Sequence, residues 1–223
     1  MVRSCAAFAF IVCILSMVTA PGSNEVLAQD AYPTRPVKLL VPYPSGGTND
    51  VVVKRDGSIY FTDTYGGFRL REKDPKKELD FNAVYMLRSN KLSLLINDIP
   101  NTNGLAFSPD EKFLYVNGSR DRFLKRYEVA ADGTLKNGTM LIDMNKDPSP
   151  GITDGLRVDT RGNIWETGPG GVWVISPEGK HLGTIRTPEL AANVEFGDAD
   201  RKTLYIAART SIYKVRVNVA GMP

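Results

Sequence analysis

The chain has 223 residues, 42% of them hydrophobic and 24% charged, with 20 Gly and 14 Pro, a composition that excludes a disordered, collagenous or polytopic membrane chain. Lys and Arg number 28 against 25 Asp and Glu, a net charge of +3, which makes no case for a nucleic-acid groove or an anionic membrane surface. There is one histidine, His181, and the two cysteines, Cys5 and Cys13, both lie near the N-terminus.

Arg3, an apolar run from Cys5 to Ala20, and Val26-Leu27-Ala28 before Gln29 have the layout of a secretory signal peptide. Residues 1–28 are therefore expected to be removed on export, which places the protein in the periplasm or outside the cell. The remaining chain would have no thiol, which excludes disulfides, thiolate catalysis and Cys-ligated zinc. A Ser-His-Asp triad would have to use His181, which follows a hairpin turn and reads as a surface residue. Any metal would be held by oxygen ligands.

Residues 29–48 contain one short apolar strand, Val37 to Val41, and a Pro/Gly turn through Ser45-Gly46-Gly47-Thr48. This stretch resembles the mature N-terminus of Bug-type tricarboxylate-receptor solute-binding proteins of the periplasm, a resemblance that stops near Asp50. Nothing downstream alternates strand and helix as such a receptor requires.

From Asn49 the chain repeats one pattern: a leading Asn or Asp, a short apolar strand, a tight turn, and a second strand carrying an aromatic. The copies open at Asn49, Asn103, Asp154 and Asn193, and their aromatics, Tyr60, Tyr115, Trp165 and Tyr205, follow by 11 or 12 positions. Further strand-like runs come after each copy, among them Val84 to Leu87, Phe123 to Val129, Thr139 to Ile142 and Gly171 to Ile175. Two hairpins per repeat, at the spacing of a propeller blade, predict an all-β partial β-propeller over residues 49–223, with about four blades and the last incomplete. The mixed-charge stretch Arg69 to Asp80 reads as a solvated loop. The sequons at Asn117 and Asn137 fall where turns are expected.

Equivalent positions of successive blades converge on the central channel, so the four leading residues should gather at one mouth. Three amides and one carboxylate there suit a hard-oxygen cation site, while Asx turns that cap strand entries are the commoner use of such residues. Asn49-Asp-Val through Tyr60-Phe-Thr-Asp63, Asn103-Gly-Leu-Ala-Phe-Ser-Pro-Asp110, Asp154-Gly-Leu-Arg-Val-Asp159 and Thr167-Gly-Pro-Gly-Gly-Val-Trp173 are similar to the gluconolactonase/SMP-30/regucalcin family. The resemblance implies a six-bladed propeller with one divalent cation, calcium first and magnesium, manganese or zinc as alternatives, that hydrolyses sugar lactones. It implies Asn103 and Asp154 as metal ligands, Asp154 also as general base for a metal-activated water, and Asn49 as a substrate contact. Asn193 joins the substrate-binding set from its repeat position alone.

A six-bladed relative needs about 270 to 300 residues at ~45 to 50 per blade. The family's metal-ligating Glu and substrate-binding Arg have no counterpart in this sequence. The chain therefore reads as a fusion of a receptor-like leader with the later blades of a lactonase, with activity in doubt and exposed blade edges open to self-association. Two further classes stay open: a non-catalytic propeller-type binding or assembly module, and a periplasmic solute-binding protein.

Overall fold

Each inner hairpin is set by its turn. Gly57 and Gly162 adopt φ of 83° and 86°, a left-handed conformation that only glycine takes without strain, and Asp56 and Asp159 bond their carboxylates to backbone N–H groups of the same turns. Asp159 also accepts from the indole N–H of Trp165 at 2.9 Å, so the turn and the repeat aromatic are locked together. Strands β1 (Val51–Val53) and β2 (Ile59–Asp63) pair in this way, and β3 (Ala83–Arg88) and β4 (Lys91–Ile96) complete a four-stranded antiparallel sheet.

The computed structural model describes residues 50–223; the expected signal peptide, the receptor-like leader and Asn49 lie outside the described residues. Two more four-stranded sheets follow in the same strand order. The second contains β5 (Thr102–Phe107), β6 (Phe113–Gly118), β7 (Phe123–Val129) and β8 (Leu135–Asp143), and the third β9 (Leu156–Val158), β10 (Ile164–Gly168), β11 (Gly171–Ile175) and β12 (His181–Arg186). The fourth has three strands, β13 (Ala191–Gly197), β14 (Thr203–Ala208) and β15 (Ile212–Arg216). The architecture is thus four propeller blades, the last one strand short. Among the described residues the helical elements are two single 3-10 turns, Tyr65–Gly67 and Arg71–Lys73, the second inside the charged loop.

The core lies between blades. Side chains alternate along each strand, so in the second and third blades one face meets the blade before and the other the blade after. Tyr60, Met86, Leu105 and Val116 fill the first seam, Tyr115, Leu156, Ile164 and Trp173 the second, and Trp165, Val194, Phe196 and Ile206 the third. Each repeat aromatic points to the following blade: Tyr60 meets Phe107 edge-on at 4.9 Å and Trp165 meets Phe196 at 5.4 Å. Tyr205 has no following blade among the described residues, and its hydroxyl donates to Asp198 at 2.9 Å. The outward faces and edges stay apolar in places, with Val53 62%, Leu92 57% and Ile212 76% exposed.

Two sequence expectations are corrected here. Strand β8 begins at Leu135, four residues before the expected start; Asn137 at φ 53° and two register shifts against β7 bend it, and this irregularity hides its alternation. Asn117, expected in a turn, is an interior residue of β6 and wholly buried, which rules out a glycan there.

The Tyr60 hydroxyl donates to the Gly133 carbonyl at 2.8 Å, tying the first blade to the β7–β8 turn of the second. Tyr60→Phe should lower stability by about 1 kcal/mol, the net worth of one buried hydrogen bond, read as a shift in the urea midpoint at unchanged slope; an unchanged midpoint would remove this tie from the account.

Candidate functional site

The Asn-Gly-Leu and Asp-Gly-Leu motifs owe their glycines to close approach. A Cβ on Gly104 would lie 2.1 Å from the Asp154 carbonyl oxygen, and one on Gly155 would lie 2.1 Å from the Asn193 amide oxygen. The start of one blade's inner strand can therefore come against the inner strand of the preceding blade. Asn117 closes the second of the three seams: its amide oxygen accepts the Gly104 N–H at 3.0 Å, and its amide N–H donates to the Asp154 carbonyl at 2.6 Å. Thr153 adds a second tie, its hydroxyl donating to the Gly118 carbonyl at 3.1 Å.

These contacts bring Asn103 and Asp154 together. Asn103 is 5% exposed; its amide N–H reaches the Ser119 hydroxyl at 3.4 Å, while its amide oxygen is buried without a hydrogen-bond partner. The Asp154 backbone N–H is taken by the Thr167 hydroxyl at 3.1 Å. Burial first, and the negative charge of Asp50 second, push the Asp154 carboxyl up to about 7, with the Asn103 amide drawing it back. Asp50, at the entry to β1, is also raised, by burial against the opposing charge of Arg157, and one of its oxygens is buried without a partner.

The donor set is thus two carboxylates and one unpartnered amide oxygen, a set that fits a divalent cation of the hard-oxygen class. Buried oxygens that lack donors, beside carboxylates that repel one another, are what such a cation would relieve. Among the described residues no three His, Cys, Asp or Glu side chains cluster, so Asn103 is indispensable to this reading.

Asn49 lies outside the described residues. Asn193 takes a different ladder place from Asn103 and Asp154. In the strand ladders Tyr115 pairs with Ala106, Trp165 with Arg157 and Tyr205 with Glu195. Asn103 and Asp154 stand three residues before those partners and Asn193 only two, so Ala192 holds the equivalent place. The longer β13–β14 hairpin produces the offset, since Tyr205 follows its partner by ten residues where Tyr115 and Trp165 follow theirs by nine and eight; the Asn193 amide oxygen accepts the Val194 N–H at 2.8 Å. His181 is exposed and stacks on Trp173 at 3.8 Å.

Sequence reasoning passed over Asn117, whose signal is its place two residues after the repeat aromatic. Thr62 and Thr167 occupy that place in the first and third blades and accept the N–H groups of Asp50 and Asp154, both at 3.1 Å. It also passed over Asp50, which stands beside a leading Asn.

Strands β1, β5, β9 and β13, the innermost of each blade, line one cavity of about 580 Å³ that contains Val51, Phe107, Arg157 and Glu195. Arg157 and Glu195 form an ion pair there at 2.8 Å. Its lining includes none of Asn103, Asp154 and Asp50.

A family model described as the SMP-30/Gluconolactonase/LRE-like region matches residues 12–210, a range that begins inside the stretch with signal-peptide layout. The gluconolactonase of Zymomonas mobilis subsp. mobilis is 34% identical over 219 residues, taking in 92% of this chain and 60% of that protein. Among solved structures, a gluconolactonase from Xanthomonas campestris is similar with a TM-score of 0.66 at 31% identity, over 82% of this chain and 61% of that one. A calcium-binding regucalcin from Agrobacterium tumefaciens strain C58 has a TM-score of 0.64 at 20% identity, over 78% and 63% of the two chains, a likeness of fold alone. The chain spans about three fifths of the length of these relatives.

Gly104→Ala should cost about 2–3 kcal/mol, because the added methyl meets a backbone oxygen rather than a movable side chain. Urea unfolding measures this; no loss, or the gain of about 0.4–1 kcal/mol that Gly→Ala gives at an unobstructed site, would contradict the close approach.

Proposed function

The chain belongs to the SMP-30/gluconolactonase/LRE-like family, and from that premise we propose that it is a divalent-cation-dependent hydrolase of sugar lactones with Asp154 as general base. The observation that carries this reading is the pairing of a half-buried carboxyl pushed up to about 7 with a buried amide oxygen that has no partner. Asn103 and Asp154 would hold the cation, and Asp50 is the additional carboxylate facing them. Calcium suits this all-oxygen set, and magnesium or manganese would be the nearest substitutes. A bound divalent cation supplies Lewis acidity at a carbonyl oxygen and lowers the pKa of water.

The chain's own groups account for the rest of the reaction. Asp154 accepts a proton from the attacking water, whose oxygen bonds to the lactone carbonyl carbon. The ring C–O bond then breaks, and the proton passes to the departing ring oxygen, leaving an open-chain hydroxy acid. Asn49, immediately ahead of Asp50, would contact the substrate, a role supported by the family resemblance of its motif. The signal-like sequence of residues 1–28 supports action in the periplasm or outside the cell.

The experiment is proton release from glucono-δ-lactone by the purified protein, with calcium or manganese titrated in and with thermal unfolding followed in parallel. Hydrolysis that requires the cation, with a melting temperature that rises with cation concentration, is the expected result. Asp154→Asn should lower kcat by about 10²-fold or more, the scale on which general bases contribute. Cation binding without turnover by the unaltered protein would favour the non-catalytic binding module; neither binding nor turnover would end the lactonase reading.

A further inference from the structure

Glu166 lies in β10, one residue after the repeat aromatic Trp165. The same place holds Phe61, Val116 and Ile206 in the other three blades, so three copies are apolar and one is a carboxylic acid. Its neighbours across the ladders are Leu156 and Trp173, both in the apolar seam between the second and third blades. Glu166 is wholly buried, and neither carboxyl oxygen meets a donor at hydrogen-bonding geometry. Burial holds its carboxyl well above the ordinary glutamate range, and the Asn117 side chain is the polar group that acts on it. A polar group in such a seam is costly relative to an aliphatic one unless it is hydrogen-bonded.

Asn117 is the second exception in the repeat. Its counterparts Thr62 and Thr167 reach only their own inner strands, whereas Asn117 binds Gly104 in its own blade and Asp154 in the next. Those two bonds use one lone pair and one N–H, which leaves the amide a further lone pair and a further N–H. The two departures from the repeat pattern face each other across one seam, directly behind the residues that bring Asn103 to Asp154.

We propose that Glu166 is a positioning residue: its carboxyl engages the free side of the Asn117 amide and so holds that amide in the orientation that sets the Asn103–Asp154 pair. This deepens the lactonase reading and rests on it for its effect on turnover, but not for its effect on the seam. Outer hydrogen-bond partners of metal ligands change affinity or activity by about 10–100-fold when removed, and Glu166 acts one step further back.

The test compares the unaltered protein with Glu166→Leu and Glu166→Gln. The first readout, in cation-free protein, is hydrogen exchange at the Gly104 N–H, the proton that Asn117 accepts. Glu166→Leu should speed exchange at Gly104 about tenfold or more while leaving the Tyr205 N–H in the last blade unchanged, and Glu166→Gln should restore protection. The second readout is calcium affinity, which should fall about tenfold in Glu166→Leu and recover in Glu166→Gln, on the scale of such outer partners. If Glu166→Leu does not fold, Glu166→Met takes its place. Unchanged Gly104 exchange overturns the proposal, as does equal loss in the Leu and Gln variants. If the unaltered protein binds no divalent cation, the lactonase reading fails and the exchange readout still decides the role of Glu166.

Discussion

The inner strands of the second and third blades come together where one of them lacks a side chain. Gly104 is that point for the second and third blades: the Asp154 carbonyl sits where its Cβ would be. Asn117 then spans the gap with one bond to each side. Everything attributed to the site follows from this contact. Without the glycine the blades stand apart and Asn103 no longer faces Asp154; without the amide the contact leaves a backbone donor and a backbone acceptor buried and unmet, each a costly loss. The catalytic reading is thus a consequence of how blades pack, and the packing is readable in a two-residue motif.

Much of the architecture was legible because a propeller writes the same requirement several times. An aromatic must fill each seam, a glycine or Asx turn must reverse each inner hairpin, and the distance between them is set by strand length. Tyr60, Tyr115 and Trp165 report this reliably, since each is buried against the next blade. The fourth copy misled at one position. The β13–β14 hairpin places Tyr205 ten residues after its partner Glu195, where Tyr115 and Trp165 follow theirs by nine and eight, so counting from the aromatic lands on Asn193 rather than Ala192. Spacing alone cannot reveal this, because strand pairing and not sequence distance decides which residue stands opposite the aromatic.

The candidate site was half legible. Asn103 and Asp154 stand in the motifs that carry the family resemblance, and they are brought together as that resemblance implies. Asn117 was obscured by a sequon whose composition suggests a turn, although it is an interior strand residue. Glu166 and Asp50 were obscured because a single charged residue in an alternating segment is ordinarily assigned to the solvent face. In a blade both faces are covered, so a carboxylate between two apolar neighbours is buried wherever it points. Read against the repeat rather than against the local pattern, Glu166 stands out as the one acid in a column of Phe61, Val116 and Ile206.

The central claim is that Asn103 and Asp154, with Asp50 beside them, form a divalent-cation site. The most direct measurement is anomalous scattering from crystals of the protein soaked in manganese. A peak in contact with the Asn103 amide oxygen and the Asp154 carboxylate is the result this account requires. A well-diffracting soak with no peak there, or with manganese bound only at surface carboxylates elsewhere, would contradict it.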